Sequence, residues 1–135
     1  MVKFLSEEWI EYGKNYILEK LDPEKDMKNI TTSLLGIIEH VPPNDITMSF
    51  YLELKDGKLN DFKVNTGDSF QEANYVIKGN YGIYKDILQG KIGTAMALLK
   101  NRLQLKGSKI EALKIIKPLD GLIESLRDIT DEFEE

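Results

Sequence analysis

The chain has 135 residues, 41% hydrophobic and 30% charged, a balance that suits one folded domain and excludes disorder. Its net charge of −5 resides in residues 128–135 (DITDEFEE), five carboxylates without a cation, leaving 18 of the 23 acidic residues against 18 basic ones. A neutral body gives no general attraction to nucleic acid, and the absence of cysteine excludes disulfides, thiolate zinc sites and a cysteine nucleophile.

The opening residues, MVKFLSEEW, bring in acidic groups before any extended apolar segment, which argues against a signal peptide and for a cytoplasmic protein. No apolar run approaches the roughly 20 residues that cross a bilayer, so at most transient membrane-surface contact is expected. A Trp-bearing helix is predicted over residues 6–21, with Glu7 and Glu8 in the first turn where the helix dipole favours them. Residues 31–41 (TTSLLGIIEHV) read as a buried strand interrupted by Gly36, and VPPND (41–45) as the turn that follows.

Residues 46–54 alternate strictly: Ile46, Met48, Phe50, Leu52 and Leu54 face one way, Thr47, Ser49, Tyr51 and Glu53 the other. The next hairpin is decided by register. A two-residue Asp56-Gly57 turn would set Phe50 against Lys63 and Leu52 against Asp61, mixing core with charge. A three-residue Lys55-Asp56-Gly57 loop, with Gly57 left-handed, pairs Leu54 with Lys58, Phe50 with Phe62 and Met48 with Val64. The bulged loop is therefore predicted.

Residues 73–108 (ANYVIKGNYGIYKDILQGKIGTAMALLKNRLQLKGS) read as strand, two short helices and strand, ending at a further helix cap. Asn80 caps a helix over 81–89 with Tyr81, Tyr84 and Leu88 on one face, and Gly90 ends it. The helix over 91–101 carries an Ile92, Ala95, Met96, Leu99 stripe, while Gly93 and Ala97 permit close approach of a neighbour. Ser108 and Glu111 form a capping box. Pro118 is expected to break or kink the chain and start a last helix, striped by Leu119, Leu122, Ile123, Leu126, Ile129, Thr130 and Phe133. Asp120, Glu124, Arg127 and Asp128 make its wet face, and the acidic tail is expected to fray. Runs of strands with helices before, between and after them predict an α+β domain over 1–135. It would be a roughly five-stranded mixed, mainly antiparallel sheet with helices covering one face.

Reactive constellations are missing. His40 is the only histidine, so no histidine metal cluster is possible, and its neighbours Glu39 and Asp45 are too generic for a catalytic set. Gly79-Asn80-Tyr81-Gly82 follows a strand and opens a helix but has neither P-loop nor dinucleotide spacing; it leaves at most a weak anion site at the amides of Tyr81 and Gly82. No cofactor, metal or enzymatic activity is expected. Tyr75, Tyr81, Tyr84 and Met96 suit a partly wet apolar site as well as an ordinary core.

The order and spacing of residues 73–108, with the Trp-bearing first helix and the hairpin around Lys55-Asp56-Gly57, resemble the sterol carrier protein type 2 family. The resemblance implies an apolar tunnel between sheet and helices that holds a lipid or acyl-CoA ligand. Its walls would be Met48, Phe50, Leu52, Phe62, Val64, Tyr81, Tyr84, Leu88, Met96, Leu99, Leu122 and Leu126. The last helix, loosened by Pro118 and Gly121, would be the lid. The C-terminal Phe-Glu-Glu is not a peroxisomal tripeptide, so a stand-alone prokaryotic or archaeal carrier of a fatty acyl or isoprenoid ligand is expected. The alternative is a filled-core scaffold or dimerisation module that partners a lipid or acyl-CoA enzyme.

Overall fold

Strand alternation and helix caps become eleven elements in a computed structural model that describes residues 2–67 and 72–134. They are β1 (Val2–Lys3), α1 (Glu7–Lys20), β2 (Thr32–Val41), β3 (Ile46–Lys55), β4 (Lys58–Thr66), β5 (Tyr75–Asn80), α2 (Tyr81–Leu88), α3 (Thr94–Leu99), β6 (Gln104–Lys106), α4 (Lys109–Ile129) and β7 (Thr130–Glu132). The main sheet has the order β4-β3-β2-β5-β6. Only its β2–β5 pair is parallel; the others are antiparallel. This is the predicted five-stranded mixed α+β architecture.

Register places Leu34, Leu52 and Phe62 side by side on one face, with Gly36, Phe50 and Val64 in the next row. β5 and β6 extend that face with Ile77 beside Gly36 and Leu105 beside Ile77. Burying this face fixes the register, since a one-residue slip would turn it to water. The opposite face has a small apolar layer of its own: Leu35 and Tyr51 are buried there, with the Lys63 ammonium 5.4 Å from the Tyr51 ring centre.

The predicted hairpin is corrected. Asp56 and Gly57 form a two-residue turn, both with positive φ (49° and 81°), and Lys55 pairs with Lys58. The parity conflict of such a turn is relieved by a shift in register between Glu53 and Leu54: Leu54 faces Leu59, while Glu53 faces Asp61. Phe50 therefore faces Val64 and Leu52 faces Phe62, two positions from the expected pairing but on the expected face.

α1 is capped by Ser6, whose Oγ accepts from Trp9 N–H at 3.1 Å, and it buries Trp9, Gly13 and Ile17. Asn80 caps α2 through Ile83 N–H at 3.0 Å, and Ser108 caps α4 through Glu111 N–H at 3.3 Å. Two expectations for the last third change. Pro118 neither ends nor begins a helix; it is buried inside a continuous 21-residue α4. The acidic tail does not fray, because Thr130–Glu132 pairs in parallel with Val2–Lys3 and Phe133 packs 5.9 Å from the Phe4 ring; Glu135 lies outside the described residues.

Candidate ligand cavity

Between the inner sheet face and α4 the side chains leave an apolar cavity of about 80 Å³. Its floor comes from the sheet: Leu34, Phe50, Leu52, Ile77 and Leu105. Ala112, Ile115, Leu119, Leu122, Ile123 and Leu126 of α4 form the roof, while Tyr84, Ile87 and Leu88 of α2 and Thr94 and Leu98 of α3 form one side. Phe4 and Trp9 close one end as an edge-to-face pair, 5.1 Å between ring centres. The Phe50 ring lies across Gly36, where a Cβ would stand 2.2 Å from it, and meets Tyr84 edge-on at 5.9 Å.

Of the predicted wall, the cavity brings together Phe50, Leu52, Tyr84, Leu88, Leu122 and Leu126. Phe62 is fully buried beside it, meeting Trp9 edge-on at 5.2 Å between ring centres, and Val64 is half-buried in the adjoining core. Met48 and Tyr81 instead line a separate surface hollow with Phe4, Pro42 and Pro43. Met96 and Leu99 are 46% and 61% exposed, because α3 turns its Thr94, Ala97 and Leu98 face inward, not the expected stripe. The helix starts three residues later than expected, and an AMALL run offers two apolar faces of similar strength. Sequence reasoning misses Leu34, Ile77, Leu98, Leu103, Leu105, Ala112 and Thr94. The alternation in RLQLK is a signal for Leu103 and Leu105; Ala112 and Thr94 give none.

Three buried polar side chains sit in the wall. The Trp9 indole N–H donates to Thr130 Oγ1 at 2.8 Å. The Tyr84 hydroxyl, its pKa pushed far up by burial, donates toward the carbonyls of Ile77 and Ile37 at 3.2 and 3.3 Å. Thr94 is 5% exposed and also belongs to the wall; its Oγ1 has no hydrogen-bond partner among the described residues.

Thr94 and Ile123 are shared with a polar hollow of about 200 Å³, bounded by Gly90, Gly93, Asp120, Glu124 and Arg127. Arg127 is committed there, donating from Nε and Nη2 to the Ile87 carbonyl at 3.2 and 2.8 Å. Partial burial and the neighbouring Glu124 raise the Asp120 pKa against the opposing pull of Arg127.

The expected lid, the part of α4 after Pro118, is anchored at its C-terminal end. Residues after Pro118 are tied by Arg127 to α2, by Thr130 to Trp9, by Asp128 to the Tyr16 hydroxyl at 2.9 Å, and by the β1–β7 pair. His40 lies apart from the cavity and shares a 2.7 Å hydrogen bond with Asp45 across an exposed turn. Among the described residues no helix is long and apolar enough to cross a membrane, and no group of three His, Asp or Glu could hold a metal ion.

No protein-family model matches the chain, and no curated protein is significantly similar to it in sequence. Solved structures are similar in fold. A Thermus thermophilus protein described as possibly a sterol carrier protein matches with a TM-score of 0.79 at 21% identity, over 95% of this chain and 90% of that one. A crystal structure of sterol carrier protein 2 matches with 0.78 at 22%, over 94% and 99%. A palmitated sterol carrier protein 2-like protein of Aedes aegypti matches with 0.55 at 18%, over 87% and 94%. The chain has a sterol carrier protein 2-like fold.

Proposed function

We propose that this domain is a non-enzymatic lipid-binding or carrier module that takes the apolar chain of a fatty or isoprenoid lipid, or of an acyl-CoA, between the sheet and α4. The supporting observation is the cavity itself, walled almost wholly by carbon. Transfer of an alkyl chain from water to such a site is favourable by about 0.8 kcal/mol per CH₂, so a loose fit is enough for useful affinity. The palmitated relative, of the same fold, is a precedent for a fatty chain. Cytoplasmic carriage goes with this reading, and the mechanism requires no reacting group.

A volume of about 80 Å³ admits roughly five water-sized groups, so a longer chain needs room that the closed form lacks. α4 is the element to supply it. Pro118 cannot donate the amide hydrogen bond that would tie it to the preceding turn, which makes it the weak point of the helix.

Native mass spectrometry of the purified chain, with organic extraction of any bound species, tests this reading. A co-purifying fatty acid, isoprenoid or acyl-CoA, or a mass shift after incubation with a lipid panel, is the expected result. A chain that stays at its apo mass with every lipid offered would overturn the carrier reading in favour of the filled-core scaffold.

A further inference from the structure

We propose that the outward faces of α3 and of the first turns of α4 form a docking surface for an anionic lipid bilayer. The charge of the chain is unevenly placed. Residues 91–117 hold seven Lys and Arg against Glu111 alone, a net +6, so the other residues together carry −11. Lys91, Lys100, Lys106 and Lys114 are exposed. In the same segment Met96, Leu99 and Ile110 are 46%, 61% and 73% exposed, half of the large exposed apolar side chains among the described residues. Met96 and Leu99 lie one turn apart on α3, next to Lys100, and Lys114 lies one turn beyond Ile110 on α4. Each helix turns its other face to the cavity, α3 through Thr94 and Leu98, α4 through Ala112 and Ile115. Docking would therefore bring the cavity wall against the membrane.

Aliphatic side chains among cations fit a bilayer of negative headgroups, which attracts the cations and accepts the side chains at the headgroup boundary. Nucleic acid would attract the same cations, but residues 91–117 contain no aromatic ring on which a base could stack. α1 also exposes apolar side chains, Tyr12 and Leu18, but on a helix whose exposed Glu7, Glu8, Glu11 and Glu19 an anionic surface repels. Docking by α3 and α4 needs nothing inside the cavity, so a filled core would not prevent it.

The test uses the full chain and co-sedimentation with vesicles of phosphatidylcholine, alone or with about one third phosphatidylglycerol. Partitioning is expected to be at least about tenfold stronger onto the anionic vesicles, and to fall about tenfold between roughly 50 and 300 mM salt. Leu99→Glu and Ile110→Glu, at exposed positions outside the cavity wall, should each weaken it about fivefold or more, with melting temperatures near that of the wild type. Equal partitioning onto the two vesicles would overturn the proposal, as would an affinity that either substitution leaves unchanged. No vesicle binding, with a self-association that Leu99→Glu abolishes, would give the face to a second copy and overturn it too. Toluene, followed by NMR titration, reports on the cavity separately. Docking without toluene binding would remove the carrier reading and keep this surface; toluene binding without docking would do the reverse. The wild-type comparison of the two vesicles decides the question even where a variant folds poorly.

Discussion

A Cβ at Gly36 would stand 2.2 Å from the Phe50 ring, closer than any real contact, so one hydrogen atom at this position lets an aromatic ring lie flat on the sheet and form the cavity floor. Gly36→Ala should displace that ring at a cost of about 1–3 kcal/mol, read as a lower urea midpoint with an unchanged slope. Asp120 gives a residue-scale prediction in pH. Its folded pKa is raised, so its favourable contribution belongs to the protonated form, is present at low pH and is lost as pH rises through the folded value. Asp120→Asn should therefore melt higher than wild type at pH 7, and the difference should shrink as pH falls through the carboxylate range. The glycine is noticeable in the sequence as an interruption of an apolar strand. Its reason, a ring on the neighbouring strand, is not, because the pairing of Gly36 with Phe50 depends on a register that local pattern does not carry. Thr94 is hidden for a similar reason: it falls within the predicted 91–101 helix but off its apolar stripe, and only the fold shows what lies beside it.

Alternation along residues 46–54 makes a strand as expected, with Leu52 and Leu54 buried on the predicted face although Ile46 is exposed; the caps at Asn80 and Ser108 likewise hold as written. The elements that differ from expectation are those whose sequence supports two solutions. Two faces of α3 are apolar, and the face with Ala97 and Leu98 goes inward. A proline can end a helix or sit within one, and at Pro118 the packing of Leu119, Leu122 and Leu126 on the core carries α4 through it. α4 also offers a direct manipulation of the site. Ala112 is buried in the cavity roof, so Ala112→Leu should place its added carbons in the void. The expected outcome is a higher melting temperature together with weaker toluene binding, seen by calorimetry and by NMR titration. A variant that melts lower would mean that the roof over Ala112 has no slack to give.

For the whole molecule, a ligand that binds only the folded form stabilises it by about 2.7 kcal/mol at a hundredfold excess over Kd. A bound lipid should therefore raise the melting temperature by several degrees in proportion to the logarithm of its concentration. Pairing of Val2 with Thr130 has a consequence for the order in which the molecule forms. It joins residues 128 positions apart in sequence, and the Trp9–Thr130 hydrogen bond, across the end of the cavity, spans nearly as far. Contacts that close so long a loop gain nothing until the intervening chain is already in place, so hairpin β3–β4 and the central sheet assemble first and this clasp last. The interior is thus open to passing apolar molecules during the final stage of folding, and, on the carrier reading proposed above, a chain synthesised among lipids would close around a first ligand before it ever had to open for one.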